Sequence, residues 1–266
     1  VDTVPYDSIY QFVRSFQGET VLLDKGRVNT VPWKSLDPSN KTISKVNPCT
    51  LWKAVKNPAE MENIRQAHVK DGAAVTKFIY WLKKNVGKIS IDEVSAADKL
   101  EEFRKEQEGY IEPSFDTISA YGPNAAMCHY SAEKDACASL KPQGLYLVDS
   151  GGQYYEGTTD ITRTIALGEV TEEERLHFTL AVMAMLRLGN AKFLYGCSGI
   201  NLDYSAREPF WQRGLDFNHG TGHGVGYLLN VHEGPNSFRW RVSPAAVSWI
   251  LEEGMHTSDE PGIYIE

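Results

Sequence analysis

Little in this chain of 266 residues suits a membrane, an oxidising compartment or a polyanion. No stretch reaches the ~18 uninterrupted apolar residues that a spanning helix needs. The opening VDTVPYDSIY carries acids and no apolar h-region, so it is not a secretory signal. It begins with Val rather than Met, which suggests processing or a cut from something longer. Basic residues are outnumbered, 27 against 35 acids, which leaves a net charge of −8 and argues against nucleic acid as the partner. The four cysteines, Cys49, Cys128, Cys137 and Cys197, form no CxxC pair, so neither a zinc clasp nor a thioredoxin-like motif is suggested. Free, mostly buried thiols in a reducing compartment, the cytoplasm, fit that usage.

What is present is a core-forming composition, with 42% hydrophobic and 11% aromatic residues, so the chain is not disordered. Residues 1–48 differ from the rest. A polar helical stretch over 6–16 and an apolar strand over 20–23 lead into a polar segment, 29–45, a β-α piece too small to bury its own core. It reads as the tail of a preceding domain, with 49–266 as the main body. Asn57-Pro58-Ala59-Glu60 supplies a cap, a proline at the first helical position and a carboxylate three beyond the cap, and predicts a helix up to Gly87. Ser90-Ile91-Asp92-Glu93 reads as a second capping box, opening a charged helix that stops near Gly109. Thr171 to Glu174 reads as a third, opening a helix that ends at Gly189, and a shorter helix is expected over 203–212. Strands are expected over 114–120, 144–149, 160–167 and 227–231. Helices mixed with antiparallel-looking hairpins indicate an α+β fold.

Four pieces carry the chemistry. In LYLVDSGGQYYEGTTDITRT, Asp149 ends one apolar run and Asp160 opens the next, with glycines able to turn the chain between them. Antiparallel pairing of the runs brings both carboxylates to one end of a hairpin, where they repel unless a proton or a metal lies between them. Two exposed turn aspartates fit the same pattern. In FNHGTGHGVGYLLNVHEGP, His219 and His223 are four apart, but Gly220, Gly222, Gly224 and Gly226 forbid the helix that HEXXH-type zinc sites use. Alternating glycine lets the backbone pass tightly around something, and His232 follows the next apolar run. In DEPGIY, Glu260 precedes Pro261 and is therefore biased to extended backbone, which aims its side chain. In GPNAAMCHY, His129 read alone fits a satisfied core histidine.

Together, aspartates, a glutamate and a single imidazole suit hard or borderline divalent ions such as Mn, Mg, Co or Zn. The surplus of carboxylates suggests two ions sharing ligands, an arrangement that activates a shared water at neutral pH. The order and wording of GPNAAMCHY, LVDSGG with TTDITRT, HGTGHGVG with NVHEGP, and DEPGIY closely resemble aminopeptidase P, the Xaa-Pro aminopeptidases of the pita-bread metallopeptidase superfamily. The resemblance runs from about Cys49 to the end. It implies a pita-bread catalytic domain and a dinuclear site, most typically of manganese, with zinc or cobalt as alternatives. Asp149, Asp160, His223 and Glu260 then match metal ligands, Asp160 bridging and Glu260 serving also as general base. His129, His219 and His232 match outer histidines that contact substrate and assist proton transfer. The implied reaction is hydrolysis of the first peptide bond of substrates with proline second, by a metal-bridged hydroxide. Homodimerisation is suggested by the family alone.

One departure from the family pattern is a second bridging Glu on a strand beyond DEPG, which is not matched here. Glu266 lies too close to Glu260 to serve. The expectation is a catalytic domain truncated at its C-terminus, with weak or no activity as a fragment. Rival readings are a prolidase of the same fold, the metal-free creatine hydrolase, and a non-catalytic binding module. The retained ligand set disfavours the last two.

Overall fold

The computed structural model describes residues 3–241 and 249–265. The chain divides into two units, Val1–Lys53 and Ala54–Glu266, so the division falls a few residues beyond the one read from composition. In the first unit, α1 (Ile9–Arg14) precedes β1 (Thr20–Leu23), as expected. The polar segment after it is more ordered than expected. Asn29 caps α2 (Thr30–Ser35) by accepting from the Val31 N–H, and β2 (Lys41–Ser44) pairs parallel to β1, completing a β-α-β unit. None of its described residues is fully buried. The helix α3 (Cys49–Ala54) carries the boundary.

In the second unit, α4 (Pro58–Asn85) starts where expected, with Asn57 and Glu60 exchanging cap bonds. Its buried stripe, Ile64, Ala67, Asp71, Ala74, Val75, Phe78 and Leu82, follows helical spacing but contains one charge. The second capping box sits two residues later than expected. Asp92, not Ser90, caps α5 (Glu93–Lys105), because Ser95 can return the bond to the Asp92 N–H while Glu93 turns inward. The strand expected over 114–120 is instead β3 (Tyr110–Pro113) and β4 (Ile118–Tyr121), which join different sheets.

A three-stranded antiparallel sheet in the order β4-β5-β8 packs on these helices, with β5 (Leu145–Ser150) central and β8 (Ile161–Ala166) at its side. Alternation along β5 turns Tyr146 and Val148 into a core with Phe78, Leu82 and Leu100. Asp149 lies on the opposite face. A second sheet joins β3 to β6 (Gly152–Tyr154) and β7 (Gly157–Thr158).

The helices α6 (Glu172–Gly189) and α7 (Gly199–Trp211) enclose a second core of Leu180, Ala184, Leu188, Ala206, Phe210 and Phe217. The helix α7 starts earlier than expected, since Ser198 and Asn201 form its capping box. Beyond it, β9 (Gly222–His223) pairs antiparallel with β10 (Ser237–Phe238). Residues 227–231 form no strand. The Gly226 N–H closes a turn on the Asn230 carbonyl, and Leu229 takes a positive φ of 71°, so the apolar run bends instead of extending. The cysteines are free, but Cys49 and Cys128 are exposed and the other two only half-buried, which corrects the expectation of buried thiols. Among the described residues, no helix is long and apolar enough to cross a membrane.

Candidate metal centre

The two aspartates lie at one end of the sheet, as the hairpin reading requires. The β5–β8 register sets Asp149 opposite Thr162 and Ser150 opposite Ile161, so Asp160, just before β8, lies at the same sheet end as Asp149. The connection is not a plain loop, because it makes its own hairpin, β6–β7, against β3. Asp149 Oδ1 accepts a bond from Thr162 Oγ1 at 2.7 Å. Burial, and then the charge of Asp160, push the Asp149 carboxyl up to about 6.

The alternating glycines let the His223 strand run between two other backbones. A Cβ on Gly222 would lie 2.0 Å from the Ser258 carbonyl oxygen, and one on Gly224 2.0 Å from that of Glu233. The segment ahead of Pro261 runs alongside: Ser258 N–H donates to His223 O at 2.8 Å, and Glu260 N–H to Thr221 O at 2.9 Å. Ser258 Oγ accepts from the His223 N–H and donates to Glu260 Oε1 at 2.5 Å. Close backbone approach therefore places the imidazole and the glutamate side by side.

At the centre, His223 Nε2 lies 3.1 Å from Asp160 Oδ2 and 3.1 Å from Glu260 Oε1. Its Nδ1 donates to the Gly224 carbonyl at 2.9 Å, which leaves Nε2 as the free ligand atom of the neutral ring. One donor atom from each of Asp160, His223 and Glu260 falls within 4.8 Å of the others. Asp149 stands beside this cluster and feels the charges of Asp160, Glu260 and His223. Burial disfavours a charged imidazole, yet the bonds to Asp160 and Glu260 outweigh it and lift His223 to about 10. Burial likewise raises Glu260, but bonds from His223 and Ser258 more than offset it and hold its pKa low. A proton on His223 here neutralises crowded carboxylates, the task a divalent cation performs on such an oxygen-rich set. The donor set fits a divalent ion.

The three histidines expected to lie outside the ligand set differ in their surroundings. The His232 ring stands 4.2 Å from that of His223 at 82°, and burial followed by the His223 charge lowers its pKa. His129 is exposed rather than a core residue, and its charge reaches His232. His219 donates from Nδ1 to the Gly220 carbonyl at 2.7 Å, while its buried Nε2 has no hydrogen-bond partner among the described residues. Its ring packs edge-on to Tyr264 at 5.3 Å. Glu266 lies outside the described residues.

Several buried charges that hold these loops escaped sequence reasoning, Glu93, Arg207 and Asp71 among them. Glu93 accepts from Tyr121 N–H, Asn124 Nδ2, Tyr130 Oη and Ala138 N–H, so the Asn and Tyr of GPNAAMCHY serve one carboxylate. Arg207, paired with Asp203 at 2.7 Å, donates to the carbonyls of Phe217 and His219. Asp71 receives a two-pronged bond from Arg104 at 2.6 and 3.1 Å. For Asp71 a signal existed, namely a carboxylate at a stripe position of α4.

The sequence profile of metallopeptidase family M24 matches residues 62–266. A probable Xaa-Pro aminopeptidase P of Paracoccidioides lutzii is 42% identical over 279 aligned residues, which cover 99% of this chain and 45% of that protein. The chain thus spans about half the length of the curated relatives it matches. Among solved structures, the X-prolyl aminopeptidase of Caenorhabditis elegans, described as a cytosolic enzyme with a di-nuclear active site, superposes with a TM-score of 0.87 at 34% identity. That match covers 98% of this chain and 43% of the nematode one. Prolidase from Pyrococcus furiosus gives a TM-score of 0.80 at 29% identity, covering 100% of this chain and 74% of that one. The expected α+β pita-bread catalytic fold is the fold of these neighbours.

Proposed function

Because the chain belongs to metallopeptidase family M24, we propose that the protein it represents is an Xaa-Pro aminopeptidase, cutting the first peptide bond of substrates with proline second. The convergence of Asp160, His223 and Glu260 on one point carries this reading, in a chain so similar to named Xaa-Pro aminopeptidases. Asp149, Asp160, His223 and Glu260 would hold two divalent ions, manganese first and zinc or cobalt as alternatives, with Asp160 shared. Such ions supply Lewis-acid polarisation of the scissile carbonyl and a water made nucleophilic near neutral pH.

The chain's own groups do the rest. Glu260 is fixed by Ser258 and stays ionised despite burial, as a general base must. The His219 Nε2 has no hydrogen-bond partner among the described residues, so in the neutral ring it is available to accept a moving proton, and once protonated it can donate to a substrate carbonyl. His232, whose proton affinity is lowered beside His223, and the exposed His129 line the approach as proton carriers and substrate contacts. The cytoplasm is the proposed location, in keeping with the nematode neighbour.

Metal-stripped full-length protein resupplied with manganese and assayed on Arg-Pro-Pro and on Gly-Pro tests this. Release of Arg from the tripeptide is expected. Cleavage of the dipeptide alone would move the assignment to prolidase, and no release at any metal loading would sink the enzyme reading.

A further inference from the structure

Asp71 lies fully buried on α4, and each of its oxygens is doubly engaged. Oδ1 accepts from Arg104 Nε at 2.6 Å and Tyr154 Oη at 2.9 Å. Oδ2 accepts from Arg104 Nη2 at 3.1 Å and Thr159 Oγ1 at 2.7 Å. Replacing such buried ion pairs by apolar residues is often neutral or stabilising, so stability alone does not account for this one. Its position offers another account, since Thr159 is the residue before Asp160.

Thr159 is gripped from every side. It is fully buried, its N–H donates to the Gly152 carbonyl at 2.9 Å, and its Oγ1 accepts from the Gly152 N–H at 2.9 Å. Its carbonyl accepts from Ser114 Oγ at 2.8 Å. The Gly151 backbone packs so close that a Cβ there would lie 2.0 Å from the same carbonyl. The Thr159 hydroxyl ties it to the helical layer through its bond to Asp71, and Asp71 is itself held by α5 through Arg104.

We propose that Asp71 is a positioning residue for the metal site, fixing Asp160 through the Thr159 hydroxyl, with Arg104 keeping the Asp71 carboxylate in register. This rests on the reading of Asp160 as a metal ligand. Outer partners that orient ligands typically contribute 10–100-fold in metal affinity.

Substituting Asp71 would leave Arg104 buried without its partner and risks the fold, so the test uses the two hydroxyls. Thr159→Val and Tyr154→Phe each remove one donor from Asp71, but only the first connects to Asp160. Manganese affinity is measured by chelator competition and stability by urea unfolding, on the full-length protein. Thr159→Val should weaken manganese binding by roughly 10-fold or more, and Thr159→Ser should restore it to within about threefold. Tyr154→Phe should lower stability while leaving affinity within about threefold. Unchanged affinity in Thr159→Val, or equal losses in Thr159→Val and Tyr154→Phe, would overturn the positioning role. Wild-type protein that binds no manganese would overturn the metal reading itself, and this inference with it.

Discussion

The phenol of Tyr130 donates a 2.8 Å hydrogen bond to Glu93, a fully buried carboxylate at the start of α5. Asn124 Nδ2 donates to the same carboxylate at 3.0 Å, so the segment that carries His129 is tied down on both sides of its apolar centre.

Tyr130→Phe should therefore cost about 1.5–3 kcal/mol, the range for a hydrogen bond to a charged group. Glu93→Gln should cost more, since its amide would turn N–H groups toward the N–H of Tyr121 or Ala138. Urea unfolding of both variants checks the order. Equal losses would mean the amide finds a compatible flip.

Asp160→Asn should abolish normal loading, because the cluster loses the carboxylate charge that His223 and Glu260 converge on. His232→Ala should keep the metal and lose turnover. Metal content by mass spectrometry separates them, and two ions bound in Asp160→Asn would refute the ligand assignment. A chelator should lower the stability of the wild type, by about 2.7 kcal/mol if the free metal had stood at a hundred times its Kd.

Gly222→Ala places a methyl group on the Ser258 carbonyl, where backbone rather than a side chain must give way. A loss of roughly 1–3 kcal/mol is expected. Since Ser258 also binds His223 and Glu260, metal affinity should fall as well. Unaltered binding in a destabilised protein would uncouple packing from the site.

Burial, with smaller contributions from His68, Lys56 and His223, lowers the His256 pKa to about 4. His68 stacks edge-on against it at 5.2 Å. An unfolded histidine takes its proton near 6.5, before the folded one does, so stability is lost as pH falls from about 6.5 toward 4. On the order of 2–3 kcal/mol of the acid sensitivity should come from this ring. His256→Gln should flatten the stability profile across that window, read from urea midpoints at each pH.

How much was legible followed from how local each cause is. The caps at Asn57 and Thr171 are reciprocal bonds within four residues, so their sequence carries them entirely. The aspartate pair was readable because strand alternation and a glycine-rich connection sit in one stretch. Glu93, Arg104 and Arg207 were not, since their partners come from other elements or from backbone carbonyls that no motif spells out. The strand expected over 227–231 failed because an apolar run does not reveal a turn closed by Gly226 and Asn230. Read alone, His129 fits a core histidine, yet its short apolar surroundings lie on the surface around a buried carboxylate.

The short β6–β7 excursion between Asp149 and Asp160 also bears on the order of assembly. Closing that loop is entropically cheap, whereas bringing in His223 and Glu260 requires chain from beyond α6 and α7. The acidic half of the centre can therefore form first, as two carboxylates with no imidazole to share a proton. A cation present while the chain folds would quiet that repulsion early, so refolding in manganese should be faster than refolding followed by its addition.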